Sequence, residues 1–261
     1  MTNALSDIVD LDRYPLHRQA LRETCRQTLA RDGALVLRRF LTPAAVETVR
    51  SEGEKNQHLA YFCSQEHNVY LMPPDAAFTH DHIRNRTVMS SKGCITDDQI
   101  PQASPLRRLY EAPPFRDFLC AVLGEVSLHA YADRLSSINL HYAEPGQELG
   151  WHFDNSSFAT TLMIQEAEEG GVFEYVAAAR DTQVGDHGFD NVRKVLDGEI
   201  QPQTLTMDAG ALVLFRGRNA LHRVTPVAGY RTRILVVLAY NAEPGICLSE
   251  SARMTFYGRL Q

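Results

Sequence analysis

The chain has 261 residues, 44% of them hydrophobic and 22% charged, which is enough apolar material for a full core in one large domain or two small ones. Its net charge of −6 weighs against nucleic acid as a partner, because that affinity rests on Lys and Arg massed against phosphates, and favours a small-molecule substrate. No apolar run approaches the roughly 20 residues that span a bilayer, and the start, Met1 to Asp7, lacks a basic segment followed by an apolar one, so a soluble, cytoplasmic protein with no membrane partner is expected.

From Tyr14 to Ala30, Leu16, Ala20, Leu21, Cys25 and Leu29 recur at near-helical spacing, and Asp32-Gly33 ends the run. Ala34 to Leu37 reads as a short buried strand, and Thr42-Pro43 caps a second helix to about His58. The segment from Phe62 to Ile100 is irregular, with Pro73-Pro74 and His80-Asp81-His82, and its polar density suits a loop closing over a site. The His-Asp-His run offers no third metal ligand, and neighbouring strand residues would point to opposite faces. Ser104-Pro105 opens a helix to about Tyr110, and Pro114 opens another to Leu123, which Gly124 stops.

Beyond Leu128 the pattern changes to eight short β runs at Ile138–Tyr142, Leu149–Asp154, Phe158–Gln165, Val172–Val176, Thr204–Met207, Ala211–Phe215, Ala220–Val224 and Thr232–Tyr240. Turn residues such as Glu144-Pro145-Gly146 separate them, which suggests a jelly-roll barrel rather than βαβ winding. Asp181 to Gln203 is a long insertion with a helical turn near Asn191–Leu196, and it is a candidate lid. The fold class expected is α+β: a single domain over 1–261 with a mostly helical part at 1–127, a double-stranded β-helix core at 128–241 and a tail at 242–261. Aromatic groups in that tail, Phe256 and Tyr257, can pack on the domain or on the second subunit of a homodimer. The five cysteines are odd in number and form no CxxC pair, so they read as reduced thiols.

Trp151-His152-Phe153-Asp154 carries the chemistry. Residues two apart on a strand share a face, so His152 and Asp154 can converge on one metal ion. A His-x-Asp pair alone is close to what this composition supplies by chance. Placement adds to it: His222 falls in the seventh core strand, which adjoins the second in such a barrel. Two His and one carboxylate form the facial triad of non-haem Fe(II) oxygenases, with open positions for a co-substrate and O2.

Several motifs in order resemble the Fe(II)/2-oxoglutarate-dependent dioxygenases from about Ile138 to Tyr240. They are Tyr142-x-x-Pro145-Gly146, His152-x-Asp154, Gly170-Gly171, Gly210-x-Leu212 with Phe215, and His222-x-Val224-x-Pro226-Val227 leading to Gly229-x-Arg231. The resemblance implies that His152, Asp154 and His222 hold Fe(II) and that Arg231 pairs with the distal carboxylate of 2-oxoglutarate, Arg233 being the alternative. Arginine's planar fork suits a carboxylate. Tyr142 is placed either to donate its hydroxyl to the same carboxylate or to pack in the barrel.

Gly150-Trp151-His152-Phe153-Asp154, Gly171 to Val176 and Leu214-Phe215-Arg216-Gly217-Arg218 are similar to a bacterial group of hydroxylases and radical halogenases of free amino acids. In its halogenases a Gly replaces the triad carboxylate and vacates a position for chloride; here Asp154 is present, and hydroxylation with release of succinate and CO2 is the implied outcome. Desaturation, cyclisation or nucleobase oxidation at the same iron, and a cupin-like barrel that binds without turnover, are the alternatives. For a zwitterionic substrate the candidate contacts are Arg84, Arg86, Glu148 and Asn155, each of which can equally be a solvated surface group.

Overall fold

Capping side chains set the helices in the computed structural model, which describes residues 5–261. The first helix, α1 (Gln19–Asp32), ends where Gly33 takes a φ of 70°, a conformation open to a residue without Cβ, and sends its N–H to the Leu29 carbonyl. After strand β1 (Ala34–Leu37), the Thr42 hydroxyl accepts from the Ala45 N–H at 3.2 Å and opens α2 (Pro43–Asn56). Ser104 opens α3 (Pro105–Glu111) in the same way, and Pro113 begins α4 (Pro113–Leu123).

The next strands are β2 (Tyr61–Asn68), β3 (Thr87–Ile95), β4 (Ile138–Ala143), β5 (Leu149–His152) and β6 (Ala159–Gln165). They are followed by β7 (Glu169–Gly170), β8 (Phe173–Val176), β9 (Gln203–Leu205), β10 (Leu212–Phe215), β11 (Leu221–Val224), β12 (Val227–Ala228) and β13 (Arg233–Leu238). One antiparallel sheet runs β1-β10-β6-β13-β4-β3-β5-β11-β8-β9, with β2 paired to β3, and β7 and β12 make a separate ribbon. The sheet curls into the jelly-roll, α+β architecture expected from the spacing of the β runs. Helix α5 (Phe189–Leu196) lies between β8 and β9, and α6 (Glu250–Tyr257) follows the last strand.

Strand periodicity divides the residues of the helix-backed wall. Leu140 and Tyr142 of β4, Leu162 and Ile164 of β6, Leu212 and Leu214 of β10, and Ile234, Val236 and Leu238 of β13 join one core with Leu29, Val49, Leu109, Phe115, Phe118 and Val122 of the helices. Each such aliphatic or Phe side chain, fully buried, contributes about 1.5–3 kcal/mol. The alternate residues, His141, Val213, Phe215, Arg233, Leu235 and Val237, face the opposite way and line a cavity inside the curl.

The segment expected to be irregular contains a regular hairpin instead. Strands β2 and β3 pair in unbroken register from Tyr61↔Cys94 to Asn68↔Thr87, and β3 inserts between β4 and β5. Its inner face lines a polar cavity rather than an apolar core, so Cys63, Gln65, His67, Ser90 and Lys92 hide the alternation that marks a strand. The loop between the two strands, residues 69–86, packs Val69, Tyr70 and Ile83 against Trp151, Phe153, Val192 and Val195. No helix of the described residues is long and apolar enough to cross a membrane, and all five cysteines are unpaired.

Candidate metal and co-substrate site

His152 ends β5 and is the direct Cα partner of His222 on β11. Asp154 lies just past the strand, where its backbone N–H donates to the Gly217 carbonyl at 3.1 Å. That turn brings its Oδ1 to 3.5 Å from His222 Nε2 and 3.8 Å from His152 Nε2. The three donor atoms lie within 4.8 Å of one another, close enough to share one ion.

Both imidazoles are held with the correct nitrogen inward. His152 Nδ1 donates to the Gly150 carbonyl at 2.8 Å and His222 Nδ1 to the Ala220 carbonyl at 3.0 Å, which leaves each Nε2 lone pair for a metal. The rings of Phe173 and Phe215 pack on His222, with centroids 5.5 and 4.9 Å away. Burial, reinforced by the neighbouring His222, pushes His152 far below the usual imidazole range. Burial works against the charge on Asp154, yet His222, His152 and Lys92 hold its carboxyl below the usual range. The set therefore presents two imidazole Nε2 atoms and one carboxylate, the ligand types and shared face that suit a divalent transition metal.

Gly217 makes the carboxylate's place. A Cβ on that residue would lie 1.9 Å from Asp154 Oδ2 and 2.5 Å from its Cγ, so any larger residue there displaces the carboxylate. Its neighbours Arg216 and Arg218 serve the frame, donating to the Leu123 and Asn155 carbonyls at 3.1 and 2.8 Å.

The cavity next to the triad encloses about 770 Å³, within the roughly 300–1,000 Å³ of small-ligand pockets. Arg233 points into it. The residue is 5% exposed, and its Nε and Nη2 have no hydrogen-bond partner among the described residues. Burial lowers it to about 10, so it is still a cation at neutral pH. Two unpaired N–H donors on a buried fork fit a carboxylate, and Leu235, Val213, Met207 and Phe173 supply apolar wall for a short chain.

Arg231, the first choice from the motif spacing, lies elsewhere. Its side chain is exposed and donates to the Glu166 and Ala167 carbonyls at 2.9 and 3.3 Å. Arg231 falls in the turn before β13, while Arg233 is the first residue of that strand on its inner face and lines the cavity. Tyr142 also leaves the site: fully buried on the outer face of β4, it donates its hydroxyl to the Gly53 carbonyl of α2 at 2.7 Å. Its neighbour His141 is the β4 residue that faces inward.

Of the four substrate candidates, Asn155 lines the cavity from an exposed position at its mouth. Arg86 is paired with Asp197 at 2.6 Å, Arg84 lies over the Tyr70 ring at 5.6 Å and donates to the Pro73 carbonyl, and neither lines the cavity. Glu148 is absent from its wall as well; its backbone pairs with Ser91. The insertion before β9 does not reach the cavity, whereas Leu71, Met72, Pro74 and Asn85 do, so the covering segment is the loop after β2.

Four cavity residues escaped the motif reading: His67, Ser90, Lys92 and His141. His67 Nδ1 donates to the Asn68 carbonyl at 3.0 Å, so its Nε2 accepts from Ser90 Oγ at 2.6 Å, while that oxygen accepts from the Gly150 N–H at 2.9 Å. The chain of bonds ties the hairpin to the strand bearing His152. A signal existed for His141, since the apolar set Ile138, Leu140 and Tyr142 commits one face of β4 and leaves His141 on the other.

Solved structures that resemble this one include a carbocyclase, SnoK, from nogalamycin biosynthesis, described as non-haem and α-ketoglutarate dependent. It is 13% identical, with a TM-score of 0.60 over 92% of this chain and 93% of the other. The epimerase SnoN, solved with Fe3+, α-ketoglutarate and nogalamycin RO, is 14% identical, with a TM-score of 0.57 over 85% and 84%. A 2OG-Fe(II) oxygenase family oxidoreductase from Burkholderia pseudomallei is 13% identical, with a TM-score of 0.54 over 86% and 92%. At such identities the likeness is one of fold. No curated protein is matched by the sequence. The family model described as Halogenase D matches residues 17–254, from just ahead of α1 into α6. A match of that extent means that this chain, with the fold of the Fe(II)/2-oxoglutarate oxygenases, belongs to the halogenase D family.

Proposed function

We propose that the chain hydroxylates an unactivated C–H bond of a small metabolite, a free amino acid or a close derivative, using Fe(II), 2-oxoglutarate and O2 and releasing succinate and CO2. The observation that carries this reading is the Asp154 carboxylate seated between the two His Nε2 atoms, at 3.5 and 3.8 Å, in a family whose description is that of a halogenase. A fixed anionic oxygen there competes with chloride for the metal, and it favours oxygen insertion.

His152, Asp154 and His222 would hold the iron, and Arg233 the distal carboxylate of 2-oxoglutarate. Bound together, metal and co-substrate supply the oxidising equivalents for C–H cleavage. The protein's own part is aim and exclusion. The Gly150 and Ala220 carbonyls fix the ring orientations, Phe173 and Phe215 keep water from the His222 side, and the loop after β2 covers the cavity through Leu71, Met72 and Pro74. Asn155, exposed at the cavity mouth, would meet the substrate's polar end.

The test is anaerobic reconstitution with Fe(II) and 2-oxoglutarate in chloride buffer, addition of single free amino acids, exposure to O2, and measurement of succinate and product mass. Substrate-stimulated succinate with a product heavier by one oxygen is expected. A chlorinated product contradicts hydroxylation; a product lacking two hydrogens assigns desaturation or ring closure. Absence of substrate-stimulated succinate across the panel contradicts a free amino acid as the substrate.

A further inference from the structure

Charge inside the cavity does not balance when metal and co-substrate are counted, and the surplus sits on Lys92. The ionised groups in the wall are Asp154, Arg233 and Lys92, with Glu66 exposed at the rim and within 3.5 Å of the Thr87 hydroxyl. Fe(II) with Asp154 and Arg233 matches a dianion, so 2-oxoglutarate neutralises that end. Lys92 remains. Its ammonium lies 3.4 and 3.5 Å from the two ring nitrogens of His141 and 5.3 Å from the Phe256 ring centroid, and among the described residues it forms no ion pair with a carboxylate. Burial pushes Lys92 down, and burial together with Lys92 and Arg233 keeps His141 neutral. An ammonium half-buried in a cavity wall with no carboxylate in ion-pair reach is costly, and His141 is the one hydrogen-bond partner it has among the described residues.

Two cations in one cavity could serve one ligand, but their surroundings differ. Arg233 stands among the strand residues Leu235, Val213 and Phe173. Lys92 is the cross-strand partner of Cys63 on β2 and lies against Phe256 of α6, which with Thr255 and Ser251 lines that part of the cavity. His141 sits between them in the sheet, the partner of Cys94 on β3 and of Leu235 on β13.

We infer that Lys92, steadied by His141, docks a carboxylate of the substrate, distinct from the one held by Arg233, and that α6 closes this end of the cavity. The inference rests on the oxygenase reading above and narrows its substrate class to compounds with a free carboxylate. Esters and carboxamides of the same skeleton bind poorly, because they leave the ammonium unpaired.

Protein loaded with Fe(II) under argon tests it in two arms. In the first, 2-oxoglutarate is titrated into wild type and Lys92→Met and followed by its visible charge-transfer absorption; in the second, calorimetry on the 2-oxoglutarate-loaded forms compares the twenty common amino acids and simple monocarboxylates with their carboxamides. Wild type is expected to bind at least one acid about 10- to 100-fold more tightly than its amide, and Lys92→Met to lose that preference while 2-oxoglutarate affinity stays within about threefold. An amide bound as well as its acid, no acid bound at all, or an unchanged preference in Lys92→Met overturns the inference. So does a cooperatively melting Lys92→Met that loses 2-oxoglutarate, which would assign Lys92 to the co-substrate. The acid-against-amide comparison on wild type stands even if the variant fails to fold. Absence of the charge-transfer band in wild type sinks the oxygenase reading instead.

Discussion

Asp154 is usable as a ligand because Gly217 is a glycine. Its backbone bond to the Gly217 carbonyl fixes where the side chain starts, and the missing Cβ leaves room for where it ends. Gly217→Ala is expected to weaken Fe(II) binding more than tenfold while costing about 1–3 kcal/mol of folding stability, since one methyl group is forced against a carboxylate. Calorimetric iron titration checks this; wild-type affinity in the variant would mean that Asp154 does not bind the metal from the position observed. The two arginines make a second residue-scale contrast. Arg233→Met should raise the 2-oxoglutarate requirement more than about 100-fold, as expected when a buried carboxylate loses its partner, and Arg231→Met should change it less than about threefold. Succinate release measured against co-substrate concentration decides between them, and the reverse ranking would return the anchor to Arg231.

At the scale of the element, β4 shows how one strand serves core and site together. Ile138, Leu140 and Tyr142 enter the helix-backed core, and His141 faces the cavity toward Lys92 and Arg233. Because burial and these two cations hold His141 well below 6.5, the unfolded chain takes up its proton first on acidification. Its contribution to stability is thus present above pH 6.5 and is lost as pH falls through the window beneath, at up to about 1.4 kcal/mol per pH unit. His141→Gln should flatten the loss of metal-free stability between pH 6.5 and 5 in denaturant titrations; an unchanged slope would mean that His141 does not stay neutral when folded. Elements with an apolar face were legible in the sequence: α2 opens at Thr42-Pro43, α4 stops at Gly124, and the core strands lie close to where their aliphatic runs fall. The β2–β3 hairpin was not, because a strand that turns polar groups toward a cavity lacks the signal that alternation provides. For the same reason Lys92 could not be recognised as a cavity residue before β3 was seen.

The whole molecule follows from a division of labour between the sheet's faces. Helices cover the outer face of β4, β6, β10 and β13 and supply the core, which frees the inner face to hold polar groups that no core would accept. His152 and His222 were legible from far apart in sequence because the jelly-roll order predicts adjacent second and seventh strands, and the pair is in direct register. The arginine was ambiguous for a physical reason: the turn between β12 and β13 decides which of two guanidinium groups enters the barrel, and spacing alone does not encode that turn. The central claim, that these ligands and Arg233 form one Fe(II) and 2-oxoglutarate site, is tested most directly by titrating 2-oxoglutarate into Fe(II)-loaded protein under argon. A visible charge-transfer band saturating at one equivalent per chain, absent from Asp154→Ala and displaced to much higher concentration in Arg233→Met, is the expected result. An iron-loaded protein that stays colourless with saturating 2-oxoglutarate would contradict it.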